Sequence, residues 1–300
     1  MTTSTLGLLA PAGSEHVPDF DRGWINAERE REPFLAYVEV SDSLNWSEEL
    51  EQLHEQSSRD HFIDAWTRRS ILTSLGRLPS SPIVLDIGCS TGYLLEDLDV
   101  FLPGASLIGV DMVASGLRTA HALVPHARLL QADACELPIQ DARIDAVVSA
   151  NLLEHIQDDV GALAEIRRVL RPGGVAVVVV PTGAGAYDYY DRFLGHVRRY
   201  RHGEMAEKAR TVGLEVDSDF HLGSLIYPPF WLVKQRNRRR FGALRGDALS
   251  RQVAGDISST HNSRVGELAC LAEREMRKLG LSLPFGVRGL TVLRRPRRSS

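Results

Sequence analysis

Short apolar runs alternate with stretches of helical periodicity through the central part of the chain. Ile83–Ile87, for example, is an apolar run between a proline and a glycine, which is typical of a strand buried on both faces. The predicted strands are Ile83–Ile87, Ser106–Asp111, Ala127–Ala132, Ile144–Ala150, Gly174–Pro181, Leu214–Phe220 and Gly289–Arg294. The predicted helices are Gly92–Leu102, Ala114–Leu123, Asp158–Leu170 and Gly203–Val212. This alternation predicts an α/β fold with a doubly wound, mostly parallel sheet of seven strands.

Other segments fall outside the alternation. Residues 1–44 lack clean periodicity and are predicted to form an arm. A capping-box spacing of Asn45 and Glu48 opens helices predicted over 45–80. The sheet core is expected at 81–223, a helical insertion at 224–283, and the final strand with a basic tail at 284–300. The helices before the core and the insertion near its end are expected to build the substrate side of the molecule.

The composition argues against several classes of protein and indicates a cellular compartment. The formal charge of −4 over 300 residues argues against a dedicated nucleic-acid binder, which usually carries a strong positive excess. Three cysteines without a C-x-x-C pair indicate neither a zinc knuckle nor a disulfide framework. With no signal peptide and no apolar run long enough to span a bilayer, we expect a cytoplasmic protein that does not enter membranes.

A glycine loop follows the first core strand and carries the most specific signal. Residues 84–92 read Val-Leu-Asp-Ile-Gly-Cys-Ser-Thr-Gly. Gly88 allows the backbone to approach a ligand, and Gly92 allows the following helix to start close to the sheet. The carboxylate of Asp86 can receive an ammonium group but would repel the pyrophosphate of a dinucleotide. This arrangement, together with the absence of G-x-G-x-x-G, argues against a nicotinamide-dependent oxidoreductase.

Two further acids follow the next two predicted strands. Asp111 ends the second strand, where a carboxylate can accept both hydroxyls of a ribose. Asp133 follows the third strand, where an acceptor would meet the exocyclic amine of an adenine. Because carboxyl ends of parallel strands share one edge, these acids and Asp86 are expected at a single ligand site.

Five segments together resemble the class I SAM-dependent methyltransferase superfamily (SAM, S-adenosylmethionine), and most closely its bacterial small-molecule group. The segments are Asp86–Gly92, Val110–Asp111, Asp133–Ala134, Ser149–His155 and Leu170–Gly174. The resemblance implies a Rossmann-like core that binds SAM and releases S-adenosylhomocysteine.

The resemblance also implies roles for individual residues. Asp86, Gly88, Cys89 and Gly92 would line the methionine portion, Asp111 and Met112 the ribose and adenine, Asp133 and Ala134 the adenine, and Asn151 would lie beside the reactive methyl. Ser90 replaces a glycine that is common in the family. Because serine accepts most ordinary backbone conformations, we expect cofactor binding to persist.

The loop after the fifth core strand is the expected place for acceptor chemistry. His196 is the first candidate for a general base or an acceptor-orienting group, since histidine titrates near neutral pH, and Tyr200 is the second. The alternative is that both residues, with Arg199, form a structural lid turn. Glu154 and His155 are expected to open the helix after the fourth strand, with a structural role for His155. No metal site is predicted, because no H-E-x-x-H or comparable spacing occurs.

The predicted function is methyl transfer from SAM to an oxygen, nitrogen or carbon atom of a small molecule, in secondary, sugar or lipid-related metabolism. The alternatives are a SAM-binding module with a regulatory role and an RNA methyltransferase. The basic run Lys234–Arg240 is the only feature that favours a polyanionic partner, and it is predicted to be a solvated helix face. The aromatic residues within 227–231 suit an apolar acceptor as well as helix packing. A homodimer is the expected protein partnership.

Overall fold

The computed structural model describes residues 6–38, 59, 61–246, 248, 249, 251–253 and 263–297. The predicted capping box of Asn45 and Glu48 lies outside the described residues.

Most described strands belong to one twisted sheet. They are β3 (Leu35–Ala36), β4 (Ile83–Ile87), β5 (Ser106–Asp111), β6 (Arg128–Gln131), β7 (Ile144–Ala150), β8 (Leu170–Pro181), β9 (Glu215–Leu222) and β10 (Arg288–Arg294). Within the described residues the sheet order is β3-β6-β5-β4-β7-β8-β10-β9. Strand β10 runs antiparallel to both of its neighbours, while the other pairs are parallel. The predicted α/β, doubly wound and mostly parallel class is confirmed.

The predicted number of seven strands is wrong, because the described sheet has eight. The additional strand β3 comes from the N-terminal region and pairs in parallel with β6. A hairpin of β1 (Trp24–Ile25) and β2 (Arg31–Glu32) precedes it. The buried Trp24 indole donates a hydrogen bond to the carbonyl of Leu129 at 2.9 Å, which fixes this region against the sheet. Two paired residues are too few to produce a periodic pattern, so the sequence could not reveal β3.

The described helices are α1 (Phe62–Ser74), α2 (Tyr93–Phe101), α3 (Ala114–Leu123), α4 (Asp159–Val169), α5 (Tyr189–Phe193), α6 (Glu204–Thr211), α7 (Tyr227–Phe241) and α8 (Arg264–Lys278). Apolar side chains on the two sides of the sheet fall into two large buried clusters. The central strands β4 and β7 are accordingly buried along nearly their whole length, as expected for a sheet that packs on both faces. No described helix has both the length and the apolar character needed to cross a membrane.

The boundary between α4 and β8 differs from the prediction. The helix ends at Val169, and the strand begins at Leu170 rather than at Gly174. Leu170 pairs with Ile144 before an irregularity in register, and regular pairing resumes between Ala146 and Val175. The proline and glycines of 172–174, which read as a loop in sequence, therefore lie within an irregular strand start.

Candidate active site

The predicted cofactor residues lie at the carboxyl ends of the parallel strands, along one edge of the sheet. Asp86 is the fourth residue of β4 and is only 1% exposed. One of its carboxylate oxygens, Oδ2, has no hydrogen-bond partner among the described residues. Burial, and secondly the charge of Asp111, raise the pKa of Asp86 to about 8. A carboxylate in this state is suited to a cationic ligand, because an ammonium group would supply the missing partner.

The loop after β4 folds back onto β5. The backbone N–H groups of Gly88 and Cys89 donate to the carbonyl of Val110 at 2.8 and 3.1 Å. Gly92 has φ of 84°, and a Cβ there would lie 2.8 Å from the Cα of Ala120. Both the backbone conformation and the close approach of α3 therefore require glycine at the start of α2.

Ser90 adopts φ of 46°, in the left-handed region. The expected tolerance of serine rested on an ordinary backbone conformation, and this is not one, because side chains other than glycine are strained at positive φ. The N–H of Ser90 donates to Asp111 Oδ2 at 2.8 Å, which stabilises the turn.

The other predicted cofactor residues lie at the ends of the neighbouring strands. The second oxygen of Asp111 accepts the N–H of Val113 at 2.9 Å, and the carboxylate stays partly exposed with further acceptor capacity. Asp133 accepts the N–H of Cys135 at 2.8 Å. Met112, Ala134 and Asn151 occupy the same strand-end loops, and Asn151 has φ of 54°. The unpartnered Asp86 oxygen, the glycine loop and the acids at the ends of β5 and β6 fit a nucleoside cofactor that carries an ammonium group.

Residues 182–200, here called the lid segment, follow β8 and cover the turn after β7. The N–H of Val197 donates to the carbonyl of Glu154 at 2.8 Å. Asp188 and Asp191 form a capping box that begins the short helix α5. At the start of the segment the N–H of Thr182 donates to the carbonyl of Val287 at 3.0 Å, so hydrogen bonds hold the lid segment near both of its ends.

Asp191 is the centre of a buried charge cluster in the lid segment. Its carboxylate is fully buried and accepts hydrogen bonds from His196 Nδ1 at 2.9 Å and Arg199 Nε at 2.6 Å. Burial opposes ionisation, but the hydrogen bond from His196 and the charges of Arg199 and Lys234 together lower the pKa of Asp191. Of the two ring nitrogens of His196, Nδ1 faces Asp191, and Nε2 lies 4.0 Å from Glu154 Oε1.

Glu154 faces His196 from the turn after β7. It is 1% exposed, and both of its carboxylate oxygens lack a hydrogen-bond partner among the described residues. Burial raises the pKa of Glu154 to about 7 against the opposing effect of His196. The prediction that Glu154 and His155 open the following helix is wrong: they lie in a separate 3₁₀ turn, Leu153–His155, and α4 begins at Asp159 with Asp158 as its N-cap. The signal that sequence reasoning passed over was an acid placed directly after two leucines at a strand end.

Tyr200, the second candidate for acceptor chemistry, lies in the core. It is 0% exposed, and its hydroxyl donates to Asp159 Oδ2 at 2.7 Å and lies 3.1 Å from the carbonyl of Leu153. Burial, followed by Asp159, raises the pKa of the Tyr200 hydroxyl. These contacts suit a residue that ties the lid segment to α4 rather than one that meets an acceptor.

Lys234 departs from the predicted solvated basic face of 234–240. It is 7% exposed, and its Nζ lies 2.7 Å from Asp188 Oδ1 and 3.5 Å from Asp191 Oδ2. It also lies over the ring of Phe230. The first residue of the run therefore docks α7 onto the lid segment, whereas Arg236 and its arginine neighbours further along the helix are exposed.

Comparison with known proteins shows to which family this chain belongs. The sequence pattern described as "Methyltransferase domain" matches residues 85–178. A demethylmenaquinone methyltransferase of Thermus thermophilus is 36% identical over 140 residues, which are 43% of this chain and 63% of that protein. A demethylmenaquinone methyltransferase of Roseiflexus is 31% identical over 172 residues, covering 54% of this chain and 68% of the relative. This chain belongs to the SAM-dependent methyltransferase family.

Solved structures of methyltransferases agree in fold. Haemonchus contortus phosphoethanolamine N-methyltransferase 2, in complex with SAM, matches with a TM-score of 0.59 over 87% of this chain and 61% of its own length. At 17% identity this likeness shows the shared fold alone. The chain spans less than two thirds of the length of the first curated relatives that it matches. Family membership confirms the expected type of protein and its cofactor, SAM.

Proposed function

We propose that this protein transfers a methyl group from SAM to an oxygen, nitrogen or carbon atom of a small-molecule acceptor. The observation that carries the proposal is the buried Asp86 carboxylate, whose Oδ2 has no partner within the described part of the chain, at the strand edge that also bears Asp111 and Asp133. An anionic pocket of this kind favours the ammonium and ribose of SAM over a pyrophosphate.

In the proposed mechanism the chain mainly positions the reactants. SAM, when bound, supplies a sulfonium whose methyl group is open to in-line attack. Asp86 would hold the ammonium of SAM, Asp111 its ribose and Asp133 its adenine, and Asn151 would lie beside the reactive methyl. The lid segment excludes water from that region and fixes the acceptor.

A small acceptor of apolar or aromatic character is supported by two observations. Tyr227, Pro228, Trp231, Leu232 and Phe285 line an apolar groove of about 450 Å³. Tyr227 at one end of this groove lies close to Gly183 of the lid segment. Two relatives are named for demethylmenaquinone, which supports an acceptor with a ring. Among the described residues Cys89, Cys135 and Cys270 form no disulfide, which supports a reducing, cytoplasmic location.

Asp111→Ala tests the cofactor assignment. Loss of a carboxylate that holds ribose hydroxyls is expected to weaken SAM binding by about 30- to 100-fold, since charged hydrogen bonds contribute about 1.5–3 kcal/mol each. Isothermal titration calorimetry with SAM, S-adenosylhomocysteine and NAD measures this. The exposed Asp141→Asn should bind as the wild type does. Absence of SAM binding by the wild type would refute the proposed function, and an unchanged affinity of Asp111→Ala would refute the ribose assignment.

His196→Ala tests the acceptor side. We expect turnover to fall by about 100-fold or more, with SAM affinity unchanged, because His196 orients or activates the acceptor. The measurement is release of S-adenosylhomocysteine in a screen of small acceptors. His126→Ala is the matched control, since His126 is half-exposed and pairs with Asp99 of α2. Full turnover by His196→Ala would leave this residue only a structural role.

A further inference from the structure

Three side chains from two distant segments meet where the lid segment contacts the turn after β7. One ring nitrogen of His155, one of His196 and one carboxylate oxygen of Glu154 lie within 4.8 Å of one another. These three side chains are close enough together to hold a metal ion, and they form the one such group of potential metal ligands found among the described residues. His155 and His196 also meet edge to face, with ring centroids 4.8 Å apart. Sequence spacing could not reveal this group, because His196 comes from a different loop.

Glu154 is the member of this cluster that most needs a cation nearby. A carboxylate that is nearly fully buried and has no hydrogen-bond partner on either oxygen, within the described residues, is costly unless a positive charge compensates it. The ring nitrogen Nε2 of His196 lies 4.0 Å from Glu154 Oε1, beyond hydrogen-bond distance. This spacing leaves room for an ion between the two groups.

His196 is already oriented as metal ligands usually are. Its Nδ1 donates to Asp191 Oδ1 at 2.9 Å, and Arg199 fixes the same carboxylate at 2.6 Å. A carboxylate behind a histidine holds the ring and its tautomer, so that the opposite nitrogen presents its lone pair to a metal. Here that nitrogen, Nε2, is the one that faces Glu154.

We propose that Glu154, His155 and His196 bind a divalent transition-metal cation. Two imidazoles and one carboxylate favour ions such as Zn²⁺, Fe²⁺ or Co²⁺ over Mg²⁺, which prefers oxygen ligands. Three protein ligands leave coordination positions for other molecules. His196 is then a metal ligand rather than a proton acceptor.

The role of the cation rests on the proposed function. The turn that carries Glu154 and His155 follows directly on the loop of Asn151, so the ion lies on the acceptor side of the sheet edge. A cation at this place favours an acceptor that binds through oxygen, because the metal lowers the pKa of a bound hydroxyl. The proposed acceptor class is therefore a hydroxyl compound.

Titration of the metal-free full-length protein with Co²⁺ tests the site without SAM or acceptor. We expect one Co²⁺ per chain, with visible absorption bands characteristic of histidine ligation, and displacement by Zn²⁺. Glu154→Gln retains the size of the side chain and should weaken Co²⁺ binding by at least about 100-fold, since even supporting residues around a metal contribute 10- to 100-fold. His196→Gln should do the same and serves as a second variant if Glu154→Gln fails to fold.

His202→Ala is the matched control, because His202 and His221 form another close histidine pair, with ring centroids 4.8 Å apart. This variant should bind Co²⁺ as the wild type does. The proposal is overturned if the wild type shows no Co²⁺ binding, if both ligand variants retain wild-type affinity, or if His202→Ala abolishes binding. SAM affinity of Glu154→Gln, measured separately, should be unchanged, so failure of the metal site is distinguishable from failure of the proposed methyl transfer.

Discussion

Replacing Lys234 by methionine is expected to lower the free energy of unfolding by about 3–5 kcal/mol. Lys234 lies in a buried cluster with Asp188 and Asp191, both almost inaccessible to solvent. Methionine fills a similar volume but leaves the Asp188 carboxylate buried without its cation. Burial raises the pKa of Asp188, and Lys234 is the main group that opposes this. Removal of the lysine therefore exposes the full cost of a buried charge.

Chemical denaturation of the wild type and the variants measures this effect. Arg236→Met on the exposed face of the same helix is the control and should change stability by less than about 0.5 kcal/mol. The double variant Lys234→Met, Asp188→Asn should recover part of the loss, because asparagine can still cap Tyr190 but carries no charge. Equal effects of Lys234→Met and Arg236→Met would show that the cluster does not fasten α7 to the lid segment.

This cluster also shows where sequence reasoning ends. Lys234 and Asp188 are 46 positions apart, and nothing in the local pattern of a basic run distinguishes one buried lysine from its exposed neighbours. The partly buried neighbours Phe230 and Tyr190 come from different helices. Only the docking of α7 on the lid segment brings these groups together. Glu154 and His196 are a second example, since the contact depends on how two loops cross.

The meeting of three acids at one edge of the sheet was predictable for a physical reason. Carboxyl ends of parallel strands share an edge, so Asp86, Asp111 and Asp133 had to come together once the strand order alternated with helices. The backbone strain of Ser90 was not predictable, because it depends on the N–H that the residue donates to Asp111. The alternation of strands and helices in the sequence therefore predicts which elements meet. Individual φ angles and buried ion pairs depend on the packed structure.

Asp86→Asn is expected to weaken SAM binding by about 100-fold while stabilising the free protein. The affinity falls because a buried carboxylate is the proposed partner of the cofactor's ammonium, and loss of one member of such a pair costs several kcal/mol. The free protein gains stability because Asp86 is 1% exposed and one of its oxygens has no partner among the described residues. Calorimetry and thermal unfolding measure the two effects, with half-exposed Asp99→Asn as the control. A variant that binds SAM as the wild type does would exclude a direct role for Asp86.

The pH dependence of SAM binding gives the same assignment an independent test. In the free protein the pKa of Asp86 is about 8, far above the value of about 3.9 in an unfolded chain. An ammonium beside the carboxylate lowers that pKa, so binding below pH 8 releases a proton and SAM affinity rises with pH by up to about tenfold per unit. Above about pH 8 the cofactor's own amino group begins to lose its proton, which limits the useful window to about pH 6–7.5. Calorimetry in buffers of different ionisation enthalpy measures the released proton directly. The Asp86→Asn variant should release none, and an affinity of the wild type that is flat across this window would contradict the contact, because a carboxylate with so high a pKa must ionise before it can hold a cation.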